Sequence, residues 1–297
     1  MTAVARNIVY QKAHLKTLAY LELVKPRLTM LVAFSCGFGY VLAGNGSVNW
    51  AGLLTVCFGG FLISGASIVL NQIFERDSDS LMDRTKNRPI PTGRITVNEA
   101  LVYSIVLALS GTMVLYWATN LLTVILSILS LVLYAFAYTP LKKVGPVAVF
   151  VGAVPGALPP LLGWTAATGT VSHEALIIFG IQFVWQFPHF WAIAWLAYDD
   201  YKKAGIKLLP SKGEKDLNTA IQIMVYTLFL IPLGLLPAKF GVTGIDSAIL
   251  TTVCGVLFLG QTFMLMMDGA EKTARRIMYS SFIYLPVVQV GLLLDKI

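Results

Sequence analysis

Nine apolar runs, each near the length a helix needs to cross a bilayer, account for most of this 297-residue chain. They lie at about 28–44, 50–70, 100–119, 121–138, 144–166, 175–198, 219–237, 248–267 and 277–294. Hydrophobic residues make up 57% of the sequence and charged residues only 12%, against about 25% charged in a soluble domain. So little charge cannot coat a water-soluble globule. In hydrocarbon each backbone group must find its partner inside its own segment or in a closed barrel. Runs of this length therefore predict an all-α, polytopic membrane protein of nine transmembrane helices, and these are expected to stand around a central cavity. Only Asn120 separates the third and fourth runs, which predicts a tight helical hairpin.

The charges predict which way the chain threads. Of its 22 Lys and Arg residues, all but Lys239 and Lys296 fall in the N-terminal segment or in the second, fourth, sixth and eighth loops. By the positive-inside rule these face the cytoplasm, so the N-terminus is expected inside and the C-terminus outside. The domain expectation is a cytoplasmic segment 1–27, then a single membrane domain 28–297 with cytoplasmic loops 71–99 and 199–218. The N-terminal residues MTAVARNIVYQKAHLK lack the apolar core and small-residue cleavage site of a signal peptide. The net charge of +7 is explained by topology and anionic lipid, and no nucleic-acid partner is expected. Cys36, Cys57 and Cys254 sit inside apolar runs with no ligand-like spacing, so they read as packing residues.

The most polar stretch, Asn71–Arg94, follows the second run directly. Asn71, Glu75 and Asp79 are spaced i, i+4, i+8, which on a helix makes one stripe drifting about 40° per step. Oxygen-bearing side chains so arranged repel one another unless a cation lies between them, and Mg²⁺ takes few carboxylates plus substrate phosphates. Arg84, Lys86 and Arg88 come next, suited to phosphate charge. The stretch therefore predicts a Mg²⁺–diphosphate site at one membrane face, with Pro89, Pro91 and Gly93 shaping a structured loop. Asp77 lies about 240° around from Asn71 and is expected outside the stripe. A second acidic patch at Asp199 and Asp200 is a candidate for another metal contact, the alternative being a solvated helix end. The two polar loops, four spans apart, hint at a weak internal duplication.

The sixth run holds Trp185-Gln186-Phe187-Pro188-His189-Phe190. On an unbroken helix Gln182, His189 and Asp200 would share a face, with His189 about 16 Å below Asp200. An intramembrane histidine is a functional candidate, against the alternative of a hydrogen-bonded packing residue. Its aromatic neighbours read mostly as packing. The glycines and prolines of Val144–Trp164 serve either close helix packing or a break lining a cavity. No P-loop, Gly-x-Gly-x-x-Gly, Ser/His/Asp order or Cys/His cluster occurs, so nucleotide hydrolysis and covalent catalysis have no support.

These residues resemble a known family. Asn71-x-x-x-Glu75-x-x-x-Asp79, Met82, Arg84-Thr85-x-Asn87-Arg88-Pro89-x-Pro91-x-Gly93, Tyr138-Thr139-x-Leu141-Lys142, the Gly152–Trp164 segment with Pro159-Pro160, the run around His189, and Asp200-Tyr201-x-x-Ala204-Gly205 with Leu209-Pro210 are similar to the UbiA superfamily of intramembrane prenyltransferases, in its haem O synthase branch. The resemblance spans nearly the whole chain. It implies transfer of the farnesyl group of farnesyl diphosphate to a vinyl group of haem B, with water completing the addition. Asn71, Glu75, Asp79 and His189 would be catalytic, and Asn71, Glu75, Asp79 and Asp200 would hold Mg²⁺. Arg84, Arg88, Lys142, Asp200, Lys202 and Lys203 would bind diphosphate. Haem B would be substrate rather than cofactor. A downstream haem A synthase would be a candidate partner, and a bacterial inner membrane the location. Two features depart from the superfamily pattern: Glu75 stands where Asp is common, and Lys203 and Ala204 stand four residues after Asp199 and Asp200, where a second Asp is usual. Lys202 or Lys203 would then meet phosphate. The rival readings are a prenyltransferase acting on an aromatic quinone precursor, a transporter with broken midplane helices, and a non-enzymatic oxidase assembly factor.

Overall fold

The computed structural model describes residues 15–44 and 46–297. Arg6, Lys12 and most of the predicted segment 1–27 lie outside the described residues. A helix over 15–24 (α1) precedes α2 (Pro26–Ala43), α3 (Trp50–Leu81), α4 (Val97–Ala118), α5 (Leu121–Val132), a π-helical turn (Leu133–Tyr138), α6 (Thr139–Leu141), α7 (Val147–Thr168), α8 (His173–Leu196), α9 (Tyr198–Lys203), α10 (Leu217–Lys239), α11 (Ile245–Asp268) and α12 (Glu271–Leu294). Among the described residues there is no strand beyond an isolated bridge between Thr243 and Lys296. Nine helical segments there are long and apolar enough to cross a membrane, α5, the π turn and α6 counting as one. They coincide with the nine predicted runs.

The basic loops come together at one end. Arg94 pairs with Glu22 at 2.7 Å, Lys215 with Glu271 at 2.9 Å, and Lys16 with Glu99. At the other end Lys296 Nζ donates to the Val41 carbonyl at 2.9 Å and Asp295 accepts from the Ser247 amide at 2.7 Å. Asn120 makes the predicted hairpin. Its side chain caps α5 through the Thr123 amide and donates to the Thr165 carbonyl of α7 at 2.7 Å.

The most buried span is α7. Despite Pro155, Pro159 and Pro160 it is continuous, which settles its two readings in favour of packing. Each proline deprives the carbonyl four residues earlier of its partner. Pro159 frees the Pro155 carbonyl, which accepts from Ser130 Oγ at 3.3 Å. Pro160 frees the Gly156 carbonyl, which accepts from Gln182 Nε2 at 2.8 Å. Neighbouring helices thus satisfy the two carbonyls that Pro159 and Pro160 leave open. The glycines let backbones touch: a Cβ on Gly163 would overlap the Cys36 carbonyl of α2, and one on Gly39 the Pro160 carbonyl of α7.

Two features differ from the sequence expectation. The second span was expected to end near residue 70, but its helix runs on to Leu81. At 32 residues it is about 48 Å long and overshoots the roughly 30 Å hydrocarbon layer. Within the fourth span the chain widens into the π turn, where Thr139 N bonds to Tyr134 O, five residues back. Such turns re-aim side chains on a helix; here Tyr138, Thr139 and Lys142 meet the polar end of α3.

Candidate functional site

Because α3 persists past its apolar part, Asn71, Glu75 and Asp79 occupy successive turns and are all buried. Asn71 Nδ2 donates to Thr139 Oγ1 at 2.9 Å. Glu75 pairs with Lys142 at 2.7 Å, and the Lys142 ammonium lies 4.4 Å from the Tyr138 ring centre. Asp79 Oδ2 pairs with Arg88 Nη1 at 2.6 Å, while Thr85 Oγ1 donates to the Asp79 carbonyl at 2.8 Å. A cavity of about 210 Å³ opens beside this cluster, lined in part by Phe74, Glu75, Ser78, Thr139, Lys142 and Ile206. The acids expected to share a stripe do so, and Asp77 points away, its side chain 82% exposed and paired with Arg76.

The loop after α3 is held by the second acidic patch. Asp200 accepts from the amides of Asp83 and Arg84, both at 3.2 Å, and pairs with Lys203 at 3.2 Å. Lys203 also reaches Asp83 at 2.5 Å, and Lys86 reaches Asp83 at 2.6 Å. Hydrogen bonds from Lys203 and Lys86 hold the Asp83 carboxyl down at about 2. Asp200 is therefore engaged in fixing the loop that carries Arg84 and Arg88. The Arg84 guanidinium makes no ion pair among the described residues. Lys202 stands apart, over the Tyr198 ring at 6.0 Å, and Asp199 is exposed.

The shared face expected for Gln182, His189 and Asp200 stops short of Asp200. α8 ends at Leu196, and Ala197 leaves helical geometry before α9 begins. Gln182 and His189 do share neighbours on α12, bonding Gln289 at 3.0 Å and Ser281 at 2.7 Å. His189 lies among Trp185, Phe190 and Phe282. Phe187 and Trp191 pack on each other and on Tyr226, the packing role expected of this aromatic run.

One site residue was hidden among the topology charges. Lys25 sits between α1 and α2 in the left-handed region, φ 50°. Burial pushes its ammonium down to about 7, repulsion from Arg88 and Lys142 adding to the shift and Asp79 and Glu75 opposing it. It is thus a third cation over the acid stripe. Its only sequence signal is its place in Lys25-Pro26-Arg27, at the mouth of the first span.

The donor set suits a hard divalent cation. Asp79 Oδ1 is buried with no hydrogen-bond partner, and Glu75 Oε1 meets the Lys142 charge without an aligned hydrogen bond. Orphaned carboxylate oxygens of this kind are costly in a dry interior and are what a bound cation would relieve. Among the described residues no group of three or more His, Cys, Asp or Glu gathers for a metal, the stripe included, since its third oxygen donor is the amide of Asn71. Acid stripe, basic rim and adjoining cavity together can hold a metal-bound polyanion while an apolar tail lies toward the bilayer.

A family profile described as the UbiA prenyltransferase family matches residues 32–285. The protohaem IX farnesyltransferase of Cytophaga hutchinsonii is 52% identical over 279 residues, covering 94% of this chain and 98% of the relative. Among solved structures, that of digeranylgeranylglyceryl phosphate synthase superposes with a TM-score of 0.78 at 22% identity, covering 94% of this chain and 98% of that one. A UbiA homologue from Archaeoglobus fulgidus bound to GPP and Mg²⁺ superposes with a TM-score of 0.63 at 19% identity, covering 92% and 99%. The solved structures establish the shared fold, and the profile and the curated relative carry the assignment: the chain belongs to the UbiA prenyltransferase family.

Proposed function

We propose that this membrane prenyltransferase transfers the farnesyl group of farnesyl diphosphate to a vinyl group of haem B, giving haem O and diphosphate. The observation that carries the reading is the buried stripe of Asn71, Glu75 and Asp79 facing Lys142 and Arg88 beside a cavity, in a chain that aligns end to end with a protohaem IX farnesyltransferase. Asn71, Glu75 and Asp79 would hold Mg²⁺, which supplies charge neutralisation for the departing diphosphate. Arg84, Arg88, Lys142 and Lys25 meet the phosphate oxygens, with Lys202 and Lys203 at the outer rim. Asp200 positions the arginine loop. As the bond from farnesyl C1 to the diphosphate oxygen breaks, these cations stabilise the charge that develops on the leaving group. The allylic cation is shielded from water until the vinyl π bond attacks C1. One water then adds to the resulting haem-side cation and one proton leaves, which balances the hydroxyethylfarnesyl product.

We place the chain in the bacterial inner membrane with its N-terminus and diphosphate site cytoplasmic, and a haem A synthase is the class of enzyme that would take up the product. Purified protein given haem B, farnesyl diphosphate and Mg²⁺ should yield haem O by mass spectrometry. Glu75→Gln should fold yet lose turnover by about 10²-fold or more, the scale set by deleting a transition-state electrostatic contact. Near-normal turnover in that variant defeats the metal assignment, and prenylation of an aromatic acid instead of haem defeats the substrate assignment.

A further inference from the structure

His189 is bonded in a way that fixes its tautomer. Ser281 Oγ lies 2.6 Å from the Met278 carbonyl. A contact that short between two oxygens requires a hydrogen between them, and the carbonyl has none. The serine proton is therefore committed to Met278, so Ser281 accepts from His189 Nδ1, 2.7 Å away. Nδ1 carries the proton, and Nε2 is left with its lone pair bare. Among the described residues Nε2 has no hydrogen-bond partner.

The ring is also held in orientation. Trp185 stacks on it with centroids 4.6 Å apart and planes 17° apart. Phe282 meets it edge-on at 4.9 Å and Phe190 at 5.3 Å. Trp185 Nε1 donates to the Ser281 carbonyl at 3.0 Å, so both rings of α8 are clipped to the same residue of α12. Here one nitrogen is oriented by a hydrogen bond and the other is presented unprotonated. That is the arrangement by which proteins prepare an imidazole for a metal. Phe282, which meets the ring edge-on, is itself exposed on α12, so His189 lies one side chain from the surface.

Resting on the proposed reaction, we infer that His189 Nε2 is an axial ligand to the iron of the haem substrate. Neutral imidazole is a common axial donor to haem iron. One Fe–N bond fixes the centre and the plane of the macrocycle, so only rotation about that bond remains for other contacts to settle. His189 thereby positions the vinyl group, and it takes no proton in the reaction.

The full-length protein, in lipid nanodiscs, is titrated with haem B and followed by optical absorption and electron paramagnetic resonance. The expected result is saturable binding with the spectrum of a nitrogen-ligated haem. That signature disappears in His189→Ala and returns when imidazole is added. His189→Ala also raises the KM for haem at least tenfold with a smaller change in kcat, and imidazole partly restores it. Ser281→Ala, which frees the ring without removing it, keeps the ligated spectrum at lower affinity. Glu75→Gln keeps the spectrum unchanged while losing turnover by about 10²-fold or more, which separates haem binding from transfer. Identical haem spectra in wild type and His189→Ala overturn the inference, and if wild type still makes haem O the proposed reaction stands without it. A His189-dependent spectrum in a protein that makes no haem O supports the ligation and overturns the reaction.

Discussion

Lys25 shows how one charge can couple the site to pH. Burial disfavours its charged form and Arg88 and Lys142 repel it, which together push its ammonium down to about 7. A diphosphate beside it favours the charged form and raises that pKa. Below pH 7 the lysine is already protonated and binding takes up nothing. Above pH 7 binding must take up a proton, so affinity falls as pH rises, by up to about tenfold per unit for one proton. The KM for farnesyl diphosphate, measured from pH 6 to 9, should therefore climb above pH 7 in the wild type. Lys25→Arg keeps its charge throughout this range and should flatten the climb. An equal slope in the two proteins removes Lys25 from the diphosphate site. The same linkage works the other way at Asp83, whose depressed pKa of about 2 means that its ties to Lys86 and Lys203 persist from neutrality down past pH 4. The Arg84 amide is held instead by Asp200, whose carboxyl is kept below the usual range, against desolvation, by the Arg84 and Asp83 amides and Lys203, so the protection factor of that amide, corrected for intrinsic exchange, should be lost only in acid.

Among the elements, α7 and α2 touch through their backbones, and this is where helix packing is least tolerant. Gly163→Ala places a methyl against the Cys36 carbonyl, which cannot rotate away as a side chain could. The overpacking cost should be about 1–3 kcal/mol, read as a lower midpoint of denaturant unfolding in detergent micelles. An unchanged midpoint would mean that the two helices separate at little cost. Gly180, with open space around its Cβ position, serves as the control substitution. The elements also show what the sequence could and could not convey. The nine spans and the Asn71–Glu75–Asp79 stripe were legible because hydrophobic length and helical period are local properties. The overshoot of α3 to Leu81 was not legible from hydropathy, since its last turns are polar and are held by Thr139 and Lys142, distant in sequence, and by Arg88 of the following loop. The π turn left no compositional trace. The contacts of Asp200 were hidden for a related reason: it was expected as a metal carboxylate, and besides its ion pair with Lys203 it accepts from two backbone amides 117 and 116 residues away. No pattern of side chains announces a backbone partner.

At the scale of the whole molecule, charge asymmetry and fold agree on a single working face. The loops carrying Arg94, Asp83, Arg84, Asp200, Lys203 and Lys215 are bonded to one another or to neighbouring helix ends, while Lys296 caps the opposite end against α2. If all nine candidate spans among the described residues cross the bilayer, the segments before the first and after the last would lie on opposite sides. Facing the basic end toward the cytoplasm would satisfy the positive-inside rule and would open the proposed diphosphate site to a water-soluble headgroup. A charged, membrane-impermeant thiol reagent tests this arrangement. The native cysteines lie within the spans, out of reach of such a reagent. Lys212 and Lys239 are exposed at the two ends. In intact spheroplasts Lys239→Cys should react at once, whereas Lys212→Cys should react only after the membrane is permeabilised. Neither substitution removes enough charge to reverse insertion, because most of the basic residues remain on the loops that set orientation. The reverse labelling pattern would put the acid stripe on the outer face, and the cytoplasmic supply of prenyl diphosphate would then have no route to Asn71, Glu75 and Asp79.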